Sequence, residues 1–371
     1  MTRTSEMVSE GHPDKVADYL ADSVLDYCLH QDPMSRVACE VLIKDNTVIF
    51  AGEITSTVRH IPLRDIAEKA IEEIGFRGEY ALGNLHVIDL IGKQSPDIAQ
   101  GVDCAADAQT IGAGDQGMMF GYACAETEEL LPLPYMLARD ILIMLKELRE
   151  TDDRHEFAQM LGPDAKSQVS VHYLPDGEVE VAGIVVSTQH SRKFPVEKLR
   201  QYIMQEAIAQ SLAKRGVKMA DKAPVFINAT GAFNVGGPIG DCGVTGRKIV
   251  VDSYGGFSPV GGGAFSGKDP TKVDRSAAYF ARFVACQTLK RFNLKEVGIE
   301  VAYSIGVATP MALNVHASAP AGVVQEVIEE AVKAYDWRPA SIIKALELRR
   351  PVYTRSTNYG HFTDPSLAWN R

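Results

Sequence analysis

At 371 residues the chain is long enough for two or three domains with cores of their own. Its 46% hydrophobic and 23% charged residues are ordinary for a soluble globular protein, and the densest apolar run, Ile141–Leu145, is far too short to span a membrane. A net charge of −10 argues against nucleic acid as a partner and demands a local basic pocket for any anionic substrate.

Residues Met1–Glu6 lack the apolar core of a signal peptide, so a cytoplasmic chain is expected. Six cysteines, at 28, 39, 104, 124, 242 and 286, show no C-x-x-C and no Cys/His ligand spacing, which suits reduced thiols and argues against zinc. The first element is a helix over 13–30, with Pro13 in its first turn and Val16, Leu20, Val24 and Tyr27 at helical spacing. A hairpin follows, Val37–Lys44 and Thr47–Thr55 about Asp45-Asn46. Pro62–Ile74 reads as a helix closed by Gly75, and Leu85–Ile91 as a short buried strand.

The same order recurs twice. Leu133–Arg149 is a helix, Gln168–Leu174 and Glu178–Ser187 a hairpin, Pro195–Lys214 a helix and Val225–Asn228 a strand. The third pass runs helix Val273–Phe292, strands Val297–Ile305 and Met311–Ser318, and helix Val323–Tyr335. It ends in a helical segment, Ser341–Leu348. Three helix–hairpin–helix–strand units predict an α+β fold with helices packed on sheet faces. Between units lie Ser95–Gly117 and Thr230–Gly267, both long, glycine-rich and without periodicity, as functional loops are.

The chemistry-bearing residues sit in turns. Gly261–Asp274 combines four glycines with Lys268, Asp269, Lys272 and Asp274, which suits a polyphosphate with bound metal. Gly262–Lys268 reads G-x-x-x-x-G-K, but Asp269 and Pro270 stand where a P-loop needs Ser or Thr, so the loop is of another design. Gly11–Lys15 opens the first helix, where His12 could donate to phosphate and Asp14 could hold Mg²⁺. Gly112–Gly117 matches G-x-G-x-x-G without a preceding strand, so a loop presenting Asp115 is favoured over a dinucleotide site. Asp164-Ala165-Lys166 and Asp241–Lys248 add charged turns, the latter offering the Arg247 fork and the Lys248 point charge. Glu40 and Glu53 lie on the first hairpin, facing either solvent or a cation or amine; Gln94 opens the first long loop. Alone, the Gly261–Asp274 loop is equally compatible with a solvated surface, and the Gly11–Lys15, Asp164–Lys166 and Asp241–Lys248 turns read more simply as capping or salt-bridged surface charges. Together, His12, Lys166, Arg247, Lys248, Lys268 and Lys272 form a phosphate-binding set.

From about Thr4 to about His361, on the motifs Gly11–Lys15, Gly112–Gly117 and Gly261–Asp274, the chain resembles the bacterial-type methionine adenosyltransferases (S-adenosylmethionine synthetases). The resemblance implies synthesis of S-adenosylmethionine from ATP and L-methionine, then hydrolysis of tripolyphosphate to pyrophosphate and phosphate. It implies Mg²⁺, two per site, and K⁺. It implies three similar units about a pseudo-threefold, at 1–103, 112–230 and 233–371, with sheets packed at a subunit interface. A homodimer or dimer of dimers is expected, with sites shared between subunits. His12, Lys166, Arg247, Lys248, Lys268 and Lys272 take catalytic roles. His12, Asp164, Ala165, Lys166, Ala232, Phe233, Asp241, Arg247, Lys248, Ala264 and Lys268 bind ATP. Glu53, Gln94, Asp115, Asp241 and Lys272 bind methionine. Asp14 and Asp274 hold Mg²⁺, Glu40 holds K⁺, and residues 94–106 gate the site. Two positions depart from the family pattern: Ala232 stands where an arginine is usual, and Cys104 where a charged residue is usual. A triphosphatase or kinase-like phosphotransferase would share the phosphate set but need no thioether pocket, whereas an inactive nucleotide-binding protein is expected to lack Lys268 or Asp14, and both are present.

Overall fold

The computed structural model describes residues 1–93, 111–151, 158–318 and 323–371. The first unit holds α1 (Pro13–Gln31), β2 (Arg36–Lys44), β3 (Thr47–Thr55), α2 (Leu63–Ile74) and β4 (His86–Gly92). Asp45 adopts φ 53° at the hairpin tip, and Gly75 caps α2 in the left-handed region at φ 104°. The second holds α3 (Leu133–Thr151), β6 (Leu161–Tyr173), β7 (Val179–His190) and α4 (Val196–Tyr202), with β8 (Lys218–Met219) and β9 (Val225–Ile227) after it. Helix α4 runs on through a π-helical turn, Ile203–Ile208, into Ala209–Arg215. The third holds α5 (Val273–Phe292), β11 (Glu296–Tyr303), β12 (Ala312–Ser318), α6 (Gln325–Lys333) and a short helix, Pro339–Ala345. The fold is thus mixed α+β with several sheets.

The expected order within each unit is observed, but the units are not closed in sequence. Three further strands complete the sheets: β1 (Thr2–Val8), β5 (Gly117–Cys124) and β10 (Gly243–Val244). Strand β1 pairs antiparallel with β6, β5 with β11 and β10 with β2. Each sheet therefore takes one strand from a segment outside its own unit. Among the described residues the sheets run β10-β2-β3-β4, β1-β6-β7-β8 with β9 also on β7, and β12-β11-β5. In the first two sheets the strand after the second helix returns parallel, β4 to β3 and β8 and β9 to β7.

Helix α1 lies against β2 and β10, α3 against β1 and β6, and α5 against β5 and β11. Both α1 and α5 are buried on almost all sides, including Asp14, Lys15, Asp18, Asp22, Arg275 and Arg282. The opposite sheet faces are open. In the first sheet Ala38, Glu40 and Leu42 share the outer face with Ile49, Ala51, Glu53, Ile88 and Leu90. Leu90 is 61% exposed, and on the second sheet Phe226 is 52% exposed. This corrects the expectation of a buried strand at Leu85–Ile91: β4 is an edge strand with one face uncovered in the single chain.

The segment Thr230–Gly267 is also not structureless. It contains one-turn helices at Gly237–Gly240 and Ile249–Asp252 as well as β10. Phe265 anchors its end, edge-on to Tyr279 and His361 at 5.6 and 5.0 Å. Among the described residues no helix is long and apolar enough to cross a membrane. Cys28, Cys39, Cys124, Cys242 and Cys286 are free thiols.

Candidate functional site

The first group of site residues gathers at the start of α1. A Cβ on Gly11 would lie 2.3 Å from the Pro163 carbonyl carbon, so only glycine admits this approach. Ser9 Oγ donates to Pro163 O and accepts from Ala165 N, each at 2.7 Å. The two contacts dock the His12 turn onto Asp164-Ala165-Lys166. His12 caps α1, and its Nδ1 accepts from Asp14 N at 3.2 Å, which places the ring proton on Nε2. Burial, and then Lys248, push the His12 pKa down to about 4, so the ring is a neutral donor at physiological pH.

Asp14 is buried. Its Oδ1 accepts from Val244 N at 3.0 Å and lies 3.3 Å from Arg247 Nε, while its Oδ2 meets Lys248 Nζ at 2.5 Å. Asp164 Oδ2 accepts from Gly237 N at 2.7 Å. Burial raises the Asp164 carboxyl to about 6, against the opposing effects of that N–H and of Lys166. Lys166 is half exposed on β6, 3.6 Å from Glu6 Oε2. Asp241 is exposed, with Oδ1 accepting from Cys242 N. Phe233 N donates to His190 Nε2 at 3.1 Å, and Ala232 beside it is exposed.

The second group lies on Gly261–Asp274. Lys268 Nζ meets Asp274 Oδ2 at 2.5 Å. A Cβ on Gly263 would come within 2.2 Å of Asp274 Cγ, so the loop wraps closely about this carboxylate. Lys272 is held by Asp269. Asp269 is fully buried and also accepts from Val37 N and Thr271 N, at 2.7 and 2.9 Å. Burial would raise its pKa, but Lys272 and the Thr271 donors hold it below the usual carboxylate value. The residue that spoils the P-loop pattern is thus an internal brace for the loop.

Gly114 packs on Thr271, where a Cβ would meet the carbonyl oxygen at 2.9 Å, and this sets the exposed Asp115 turn beside Lys272. A strand, β5, follows this glycine motif, which agrees with rejecting the dinucleotide fingerprint. Lys268 bridges to Ala38, whose partner across the hairpin is Glu53. Glu40, opposite Ala51, is exposed on the same face. Ala264 abuts Gly246, so the two cation-bearing loops touch. Gln94, Cys104 and the expected gate at 94–106 lie outside the described residues.

Two of the site's ion-pair groups centre on the candidate metal carboxylates, one on Asp14 and one on Asp274. In each a carboxylate neutralises lysine in the protein alone. Phosphate oxygens can take over the lysine, which frees the carboxylate for a hard cation. Mg²⁺ takes one or two carboxylates together with phosphate oxygens and water, so Asp14 and Asp274 fit it. Among the described residues no three His, Cys, Asp or Glu side chains gather into a metal cage.

Three family profiles match the chain. They are the N-terminal domain of S-adenosylmethionine synthetase over residues 1–96, its central domain over 110–233 and its C-terminal domain over 235–371. The S-adenosylmethionine synthase of Sulfurovum sp. (strain NBC37-1) is 45% identical across 99% of this chain and 95% of its own length. The chain belongs to the S-adenosylmethionine synthetase family. The synthases of Treponema denticola and Wolinella succinogenes, 43% and 44% identical, align over the same shares. The family is one of ATP-binding transferases, methionine adenosyltransferases, and its member described here is an enzyme of that class.

Sequence reasoning missed several residues around the synthetase loops. Asp18 accepts from Gly246 N, and Asp22 from Gly267 N, each at 2.8 Å. Lys15 and Arg275 are their buried partners. The available signal was the spacing of acids in the first helix, one every fourth residue from Asp14 to Asp26.

Proposed function

We propose that the chain makes S-adenosylmethionine by attack of the methionine sulfur on the ribose 5′ carbon of ATP, and then hydrolyses the displaced tripolyphosphate to pyrophosphate and phosphate. The observation that carries this reading is the pair of lysine–carboxylate groups on glycine-shaped loops, within a chain matched end to end by the synthetase profiles. The sulfur lone pair forms the S–C5′ bond, and the C5′–O bond breaks with its electrons leaving on the triphosphate. A thioether loses no proton on attack, so no general base is required, and catalysis reduces to alignment and to charge stabilisation on the leaving group.

His12, through its Nε2–H, and Lys166, Arg247, Lys248 and Lys268 face the triphosphate. Asp164 and Ala165, Ala232 and Phe233, Asp241 and Ala264 line the nucleotide. Glu53, Gln94, Asp115, Asp241 and Lys272 take methionine, and the carboxylates among them favour the sulfonium product. Asp14 and Asp274 would hold Mg²⁺, two ions per site, and Glu40 would hold K⁺. When bound, these ions supply further positive charge against the leaving group.

The open sheet faces support a second copy of the chain as the partner. Leu42, Leu90, Val185, Phe226 and Met118 are exposed on strands of all three sheets. Packing these faces in a cytoplasmic homodimer or dimer of dimers, with three pseudo-threefold units per chain, buries them and brings an Asp14 group to the partner's Asp274 group. The test is incubation with ATP, methionine, Mg²⁺ and K⁺. S-adenosylmethionine, pyrophosphate and phosphate should appear in equal amounts by mass analysis. ADP as the main nucleotide product would overturn the reading.

A further inference from the structure

Helix α1 carries a carboxylate at every fourth residue: Asp14, Asp18, Asp22 and Asp26. Four residues is slightly more than one turn, so these side chains form a single stripe along the helix. Every one accepts a backbone N–H from a residue more than 200 positions further along the chain. Asp14 takes Val244 at 3.0 Å, Asp18 takes Gly246 and Asp22 takes Gly267 at 2.8 Å, and Asp26 takes Tyr353 and Thr354 at 3.0 and 2.9 Å. The two middle rungs reach the loops that carry the cations. Gly246 immediately precedes Arg247 and Lys248, and Gly267 immediately precedes Lys268.

Asp18 and Asp22 are both fully buried. A buried carboxylate is costly unless it is paired and hydrogen-bonded, and apolar side chains of similar volume often hold a fold as well or better. Here Asp22 has a cation of its own and Asp18 shares one with Asp252. Lys15 lies 2.9 Å from Asp18 and also binds Asp252, while Arg275 grips both oxygens of Asp22, at 2.7 and 2.9 Å. A carboxylate does what an apolar side chain cannot: it accepts a backbone N–H from a fixed direction. Gly246 and Gly267 both adopt the left-handed region, at φ 80° and 78°, and give that N–H to the helix. The residues that follow remain partly open to solvent.

We propose that Asp18 and Asp22 are positioning residues, each clamping one cation-bearing loop to the rigid α1 so that Lys248 and Lys268 are held ready for the polyphosphate. The inference rests on the reading of those lysines as phosphate ligands given above. Preorganised charge of this kind costs no rearrangement when the leaving group forms. In the proposed dimer the two loops of one chain serve opposite sites, so each acid should couple most strongly to the lysine of its own loop.

The test is a set of double-mutant cycles on the full-length enzyme with Mg²⁺, read by calorimetric affinity for inorganic tripolyphosphate and by kcat. The single variants are Asp18→Asn, Asp22→Asn, Lys248→Met and Lys268→Met, with the four acid–lysine doubles. Each acid variant should weaken tripolyphosphate roughly tenfold and lower kcat, while the KM for methionine changes less than about twofold. In the matched doubles, 18 with 248 and 22 with 268, the loss should fall well short of the product of the singles, because a misplaced lysine has little left to lose. The crossed doubles should come distinctly closer to the product.

Equal coupling in matched and crossed doubles, or multiplication in all four, would overturn the inference and leave the carboxylates as general stabilisers. If the lysine singles leave tripolyphosphate binding unchanged, the phosphate reading itself fails and this inference falls with it. Should Asp22→Asn fail to fold, Asp22→Asn with Arg275→Gln keeps the pocket hydrogen-bonded with one fewer buried charge on each side, and the same comparison applies.

Discussion

Single charged side chains in this protein have two readable environments, and each leads to a test. Lys268 is partly exposed and its ammonium ends on Asp274 rather than in the apolar core. Lys268→Met should therefore leave the fold intact and remove one charge-assisted contact to the leaving group. The expected loss is about 2–4 kcal/mol of transition-state stabilisation, roughly 30-fold or more in rate. A fall of less than about tenfold, at unchanged thermal midpoint, would mark Lys268 as a surface charge. Asp164 is buried, and its carboxyl is raised to about 6. An acid with a raised folded pKa binds its proton more tightly when folded. The stability this gives is complete below the unfolded value near 4 and is lost as pH rises through about 6. Asp164→Asn keeps an acceptor for Gly237 N–H and has no proton to lose. Its stability relative to wild type should grow between about pH 4 and 6.5 and then level off, by at most about 2–3 kcal/mol. Thermal midpoints across that range measure it, and a constant difference would show that Asp164 titrates like an ordinary carboxylate.

At the scale of elements, loop shape depends on a few glycines. Gly267 sits at φ 78°, and a Cβ there would meet Cys39 O at 1.9 Å. Its own carbonyl accepts from Cys39 N at 2.9 Å. Gly267→Ala must break this approach and pull the loop from Asp22, so we expect a loss of about 2–4 kcal/mol in stability together with weakened tripolyphosphate binding. A variant as stable as wild type by thermal melt would mean that the loop can move aside at no cost. The hairpins and long helices were legible in the sequence because turn chemistry and apolar spacing are local. Thr47–Thr55 and Val273–Phe292 coincide with their expected bounds. Strand β1 was not legible: Thr2–Val8 shows no clean alternation, and its partner lies more than 150 residues away. The glycine-rich motifs single out Asp14, Lys248, Lys268 and Asp274 as candidates, but not that Lys248 pairs with Asp14 and Lys268 with Asp274. Asp18 and Asp22 in α1 look like a solvated helix face, and only the loops folded over them show that they are interior groups. Leu90 misled in the opposite direction, since its apolar run says nothing about whether a single chain covers that face.

At the scale of the whole molecule, each chain carries its cations in two separate groups. His12 docks on Asp164-Ala165-Lys166 and feels the charges of Lys248 and Lys166, whereas Lys268 is tied to Asp274 on another loop. In the proposed reading one triphosphate takes both groups. In the proposed two-fold dimer, the His12 group of one subunit completes its site with the Lys268 group of the other, and the symmetry makes two such sites. That arrangement predicts complementation. His12→Ala and Lys268→Met are each expected to be nearly inactive as pure proteins. When the two are unfolded and refolded together, random pairing makes about half of the dimers mixed. A mixed dimer has one site carrying both lesions and one carrying neither. Activity should therefore return to about a quarter of wild type refolded in parallel. The recovery should scale with the mixed fraction when the mixing ratio is varied, peaking at equal amounts. Refolded wild type must regain its own activity for the comparison to stand. If it does, and the mixture stays at the level of the separate variants at every ratio, His12 and Lys268 serve one site from the same chain. The open sheet faces would then need a different partner.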